Sequence, residues 1–448
     1  MQKNKNEVWA FFASVKLALF TFFILAAASV IGTVIPQGKE MQFYIEVFGP
    51  GTAKLFQLLN VPDMYNSWWF VSLLVLFSIN LIVCTIDRFP NIWRLVTMDN
   101  LALDIGRILK MPRHQTFHSD LPAAEVALAV EGMSTAWKFD KADRDGAILL
   151  AAQKGPWTRL GVIAVHLSIL VIFIGAIIGS LLGFKGSVMI REGGSAKQIY
   201  LYDAGNTPVP LDFEVRCDRF ELQRYDTGTP KAYISDLVVI DGGQEILKKT
   251  ITVNDPLKYK GLTFYQSSYQ PLDDAYAIEI ENQTTAASKK FYMGRGSAGE
   301  WKEEGLKFRI TDRMGPYGMG VYRHKLLFND NSQKPVEFWA EEGKMYIVER
   351  PEADYLFSLR PLFFTGLQVA KDPGVWWVYI GCGMMLLGLY VAFFLSHRKV
   401  WIYLAEEESG SRLHLSGTSN KNKIGFDNDF SALMELLERN DSLKLKRE

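Results

Sequence analysis

The side chain with the greatest chemical consequence is His166. It stands inside an uncharged run from Leu160 to Phe184, and an ionisable group in such a run faces a cavity, a partner or a ligand. Three tasks are open to it: axial ligand to a haem iron, proton-relay group, or a hydrogen bond that merely glues two helices. By helical rise it lies roughly 9 Å inside the start of its run. His397 closes a second uncharged run beside Arg398 and Lys399; it reads first as an interfacial residue and second as a candidate haem contact. His114, His118, His324 and His414 make no metal-ligand spacing on an apolar helix and are expected in structural or surface roles.

Three cysteines, none in a C-x-x-C pair, exclude a disulfide scaffold, a Cys-ligated zinc site and a self-contained dithiol centre. Cys217 keeps phase with Leu211, Phe213 and Val215, so it should point into a β core. Cys84 and Cys382 fall in apolar runs and act there as small apolar residues. No P-loop, nucleophile elbow, H-E-x-x-H or haem-attachment C-x-x-C-H occurs. Catalysis by this chain alone has little support.

These residues need elements to position them. The 448 residues carry 49 Lys+Arg against 49 Asp+Glu, and zero net charge argues against nucleic acid as a partner. Charge is strongly segregated, however. Four runs reach the length of a bilayer-spanning helix: 17–35, 67–86, 160–184 and 373–396. The first has the basic flank of a signal peptide (Lys3, Lys5, Lys16), but its length favours a retained anchor. Residues 1–16 carry three Lys/Arg, the 87–159 loop ten and the 397–448 tail nine, whereas the 36–66 loop carries two. The positive-inside rule therefore places both termini and the 87–159 loop in the cytoplasm. Trp68-Trp69 and Trp376-Trp377 then fall at the outer ends of their spans, and segment 185–372 lies outside the membrane.

Segment 185–372 reads as one mostly-β domain, sandwich-like or curved and antiparallel. Its alternating runs (Leu211 to Cys217, Tyr276 to Ile280, Leu306 to Ile310) are separated by turn signals at 226–228, 241–243, 254–256 and 314–316. The 87–159 loop reads as a small α+β insertion, with a helix over Ala123 to Ala129 and strand-like pieces at Trp137 to Phe139 and Ala147 to Ala152. In the tail, Ser409 to Asn422 reads as a flexible linker to an amphipathic helix over Phe430 to Leu437. In span three, Gly175, Gly179 and Gly183 form a small-residue stripe for close helix contact; Gly381, Gly383 and Gly388 recur in span four. The expected fold is thus a four-span α-helical membrane protein with a large extracytoplasmic mostly-β domain and a small cytoplasmic α+β insertion.

Several stretches together resemble the ResB (CcsB) family of cytochrome c biogenesis proteins, of the System II pathway. They are SVKLALF leading to SVIGTVIPQ (Ser14 to Gln37), WWFVSLLVLFSINLIVCTIDR (Trp68 to Arg88) and KGPWTRLGVIAVHLSIL (Lys154 to Leu170). YISDL (Tyr233 to Leu237), NDPLKYKGLTFYQSSYQP (Asn254 to Pro271), DPGVWWVYIGC (Asp372 to Cys382) and FFLSHRKVW (Phe393 to Trp401) complete the set. The resemblance runs nearly end to end.

It implies a subunit of a haem export and cytochrome c synthetase complex, not catalytic by itself, in the cytoplasmic membrane. The implied partners are a ResC/CcsA-like membrane protein, apocytochrome c, a thioredoxin-like thiol reductase and membrane lipid. The implied cargo is haem b, shared with the partner, and His166 stands where the family has a third-span His implicated in axial ligation of haem. Two other readings stay open: a scaffold or apocytochrome chaperone that binds no haem, and a membrane electron-transfer haem protein. FYQSSYQP (Phe264 to Pro271) reads either as a β-turn packed by its tyrosines or as a surface receiving a partner.

Overall fold

The computed structural model describes residues 6–447 apart from 134–135, 145, 203–206, 226, 228, 318–320, 331 and 333. Two of the turn-signal residues at 226–228 lie outside the described residues. Among the described residues, four helical stretches are long and apolar enough to cross a membrane: Val15–Val34, Trp68–Val96, Pro156–Leu182 and Val375–Phe394. Their outward residues, among them Phe20, Phe23, Val34, Leu181, Leu386 and Phe393, are exposed, which suits hydrocarbon and not water.

The chain divides into two compact units, residues 1–175 with 376–448, and residues 176–375. In the first unit, a short helix Glu7–Phe12 precedes span one. The buried Asn80 of span two holds the break between them, its Nδ2 donating to Phe12 O at 2.6 Å and to Ser14 O at 3.0 Å, the latter also accepting the first helical bond of span one from Ala18 N. Span two begins at Ser67, whose hydroxyl accepts from Phe70 N. It runs through Asp87, Arg88 and Pro90 to Val96, past the expected end at Ile86. Charged residues there end the apolar run without ending the backbone bonding. Two glycines of span four lie tight against span three: a Cβ at Gly381 would stand 3.0 Å from Ser168 O, and one at Gly388 3.0 Å from Val165 N. The span-three glycines do otherwise. Gly179 and Gly183 lie under Asp372 and Lys371 of the chain leading into span four.

The segment after span two and the tail after span four are not separate modules. They interleave in one six-stranded antiparallel sheet, in the order Asp140–Arg144, Ala147–Lys154, Arg398–Glu407, Gly410–Ser419, Arg113–Ser119, Leu445–Arg447. The stretch expected to be a flexible linker is therefore a central strand. Its Ser, Thr and Gly content masks a two-residue period in which Leu413 and Leu415 are fully buried. Helices Ala123–Gly132 and Lys423–Glu438 cover that face through Val126, Ala127, Val130, Phe426, Phe430 and Leu433. Trp137 to Phe139 is not strand; the edge strand starts at Asp140, and Trp137 is buried under the ammonium of Lys154.

In the second unit the strands among the described residues form a ten-stranded and a four-stranded antiparallel sheet. They enclose two cores and not one. The first gathers Ile199, Val215, Cys217, Val239 and Phe264, the second Ile278, Ile280, Phe308, Phe328 and Phe357. Strands Leu262–Asn282 and Tyr355–Lys371 are long enough to serve both, and their mutual register shifts at Gln266/Ser268 and Pro271/Tyr276. FYQSSYQP is thus bulged strand and not turn. Within it Gln266 Oε1 accepts from the buried Ser235 and Thr365 hydroxyls at 2.6 and 2.9 Å, and Tyr269 packs among Phe220, Tyr233 and Phe363. The expected turn at 314–316 likewise lies inside a strand, Leu306–Tyr317, as an irregularity of register.

Candidate functional site

Span three, from Gly161 to Leu182, brings His166 against span two. Its Nδ1 lies 2.9 Å from Thr85 Oγ1, and the same hydroxyl donates its only proton to Leu81 O at 2.7 Å. Thr85 must therefore accept at the histidine side, which puts the imidazole proton on Nδ1 and the lone pair on Nε2. No protein group among the described residues bonds Nε2, and the ring is only partly buried. A fixed N–H on one nitrogen and a free lone pair on the other is the arrangement that metal-ligating histidines adopt. The donor set thus fits a haem iron.

His397 is placed differently, and the ring as it stands has no lone pair for iron. Arg159 Nε donates to its Nδ1 at 2.7 Å, so the imidazole proton sits on Nε2 and is given to Gln153 Oε1 at 3.0 Å. Burial, then the cations of Lys399 and Arg159, pushes its pKa down to about 3. The ring is a neutral connector between the strand before span three and the one after span four. Beside it Lys399 is 6% exposed and donates to Asn100 Oδ1 at 2.6 Å; burial, with Arg159 adding repulsion, lowers its amine to about 8. Trp401 Nε1 donates to Asn100 O at 2.9 Å. The start of span three, the end of span four and the turn after span two are thereby tied at one point.

The other histidines serve the fold. His324 is fully buried in the second unit, bonded through Nε2 to Glu342 Oε1 at 2.8 Å and packed on Tyr276. His114 and His414 stack at 5.4 Å on the sheet face away from the two helices, both in reach of Thr116 Oγ1. His118 contacts Glu407 at 3.2 Å. No group of three metal-ligating side chains occurs among the described residues. Cys217 is fully buried, and its thiol is pushed up to about 12, by burial first and then by Glu192 and Asp218; it is a structural thiol.

Sequence reasoning missed Thr85, Arg159 and Gln153. Thr85 carries no mark of its role: Ser72 and Ser78 of the same span also donate to the carbonyl four residues back. Only the fold shows which of the three hydroxyls meets an imidazole.

A family model described as "ResB-like family" matches residues 15–323 and 317–431. A cytochrome c biogenesis protein CcsB of Gloeobacter violaceus is 30% identical over 445 residues, covering 95% of this chain and 90% of its own. A CcsB of Synechococcus sp. (strain JA-3-3Ab) is 29% identical over 463 residues, with 96% and 90% covered. One from Crocosphaera subtropica is 28% identical over 453 residues, with 95% and 93% covered.

Proposed function

The chain belongs to the ResB-like family, and from that premise we propose that this multi-pass membrane protein serves cytochrome c biogenesis as a haem-handling subunit. Haem b is its cargo and His166 the group that holds it within the membrane. The observation that carries the reading is the Thr85–His166 hydrogen bond, which leaves Nε2 as the one free imidazole nitrogen of the pair of candidates. The second axial position belongs to a ResC/CcsA-like partner, since His397 is already committed on both nitrogens.

The Lys/Arg distribution supports a cytoplasmic position for the six-stranded domain and an extracytoplasmic one for residues 185–372. In this arrangement haem enters from the cytoplasmic half of the bilayer, is oriented at His166, and is passed outward for attachment to apocytochrome c by the complex. Attachment itself is a task of the complex and not of this chain alone. A thioredoxin-like reductase is the partner that keeps the apocytochrome thiols reduced, a task for which the sealed Cys217 is unsuited.

The test is the visible absorption spectrum of the full chain, co-expressed with its ResC/CcsA-like partner, for wild type and His166→Ala. A Soret band that weakens or shifts in the variant, with loss of holocytochrome c, is expected. An unchanged band and unchanged cytochrome yield would place haem wholly on the partner and leave this chain a scaffold or apocytochrome chaperone.

A further inference from the structure

Haem is an apolar disc with two propionate carboxylates on one edge, so a protein that holds its iron inside a bilayer must also answer two negative charges. Two cations stand where such an answer is needed. Arg88 follows Thr85 by three residues on the span-two helix, hence on the same face and about 4.5 Å further along it. Arg159 precedes His166 by seven residues, close to two helical turns, which brings it near the same face of span three about 10 Å lower. The span-two helix packs against the turn Pro156–Leu160 that carries Arg159. By helical position both arginines therefore start from the His166 side of this helix pair, displaced toward the end where the six-stranded sheet begins, and the Arg159 guanidinium reaches His397 there.

Neither has an acid among the described residues. Arg88 makes no hydrogen bond or ion pair there, and Arg159 is held only through Nε, by neutral His397, which leaves both Nη groups to donate. Some arginines of the same unit are matched, Arg113 with Asp427, Arg398 with Asp429 and Arg412 with Glu407, whereas Arg144 donates to the carbonyl of Leu103; Arg88 and Arg159 differ from the other arginines without an acid in standing beside the His166 helix pair. A planar guanidinium is the side chain suited to fork onto a carboxylate.

Resting on the haem reading of His166, we infer that Arg88 and Arg159 clamp the two propionates of the bound haem, and that His397 is a positioning residue that aims Arg159. The macrocycle is then oriented with its propionate edge toward the six-stranded sheet, the apolar edge leading into the bilayer. Snorkelling of the same arginines to lipid phosphate is the rival use of this chemistry.

Titration of the full chain in nanodiscs of zwitterionic lipid, with haem and with haem dimethyl ester, separates the two. The Soret band is the readout, and no cytochrome assembly is required. Wild type should bind haem about a hundredfold more tightly than the ester, about tenfold for each guanidinium. Arg88→Met and Arg159→Met should each lower that preference about tenfold while leaving ester affinity unchanged, and His397→Ala should act in the same direction as Arg159→Met. Should Arg159→Met fail to fold, Arg88→Met carries the test alone. Equal loss for haem and ester, or no change of preference in a folded variant, overturns the clamp and assigns the arginines to lipid or to the fold. A failure of the ligand reading looks different: His166→Ala would then bind the ester as wild type does.

Discussion

Replacing Thr85 by Val exchanges a hydroxyl for a methyl at almost constant shape, so packing between spans two and three is kept. Two hydrogen bonds go. The one to Leu81 O costs little, because that carbonyl keeps its helical partner; the loss should stay within about 1 kcal/mol. The one from His166 Nδ1 is different in kind, since it alone dictates which nitrogen presents the lone pair. Without it the ring can rotate and exchange tautomers. Loss of such an outer-shell partner lowers metal affinity about 10- to 100-fold, or about 1.4 to 2.8 kcal/mol. Haem titration of the purified full chain followed at the Soret band measures this directly, with thermal unfolding as the control for stability. Thr85→Ser, which restores the acceptor, should return affinity to near the wild-type value. If Thr85→Val binds haem as tightly as wild type, the tautomer argument is refuted and His166 loses its physical case as a ligand.

Lys399→Met should raise thermal stability by about 1–3 kcal/mol, because it removes a buried cation whose partner is an amide and not an acid. The pH dependence follows the same logic. With the folded amine lowered from 10.5 to about 8, the unfolded chain binds more protons between these values, so wild-type stability rises with pH across that window and the Met variant lacks the rise. In the second unit, Asp330 is held down to about 2, chiefly by its hydrogen bond to the buried Arg350. Asp330→Asn should therefore destabilise by about 3 kcal/mol in denaturant melts at neutral pH. The wild-type contribution is complete above the ordinary carboxylate value of 3.8 and disappears as pH falls through about 2. Cys217 should resist alkylation at pH 8 in the native protein and react only after denaturation, as read by mass spectrometry; rapid native labelling would contradict its burial.

The spans and the alternating strands were legible because each is a local pattern: a charge-free run of helix-spanning length, or a period of two such as Phe213, Val215, Cys217. His166 stood out for the same reason, as the one ionisable group in its run. What stayed hidden depends on partners distant in sequence. Ser409 to Asn422 has the composition of a linker, and only pairing with Arg398–Glu407 and Arg113–Ser119 makes Gly410–Ser419 within it a strand. His397 read as a possible iron contact because nothing local announces that Arg159 and Gln153 claim both its nitrogens. The bulged strand at FYQSSYQP was obscured by polar residues that satisfy one another inside the domain, Gln266 with Ser235 and Thr365.

The interleaved sheet also imposes an order of events on biosynthesis. Strands Ala147–Lys154 and Arg113–Ser119 emerge from the ribosome long before their neighbours, and they do not pair with each other; the hairpin Arg398–Glu407 with Gly410–Ser419 must slot between them. Until the last span has been made, both nascent strands present open edges, which are liable to aggregation and visible to chaperones and proteases. A chain that stalls, or whose fourth span fails to insert, cannot close this sheet. Its closure therefore waits on the strands that follow the fourth span.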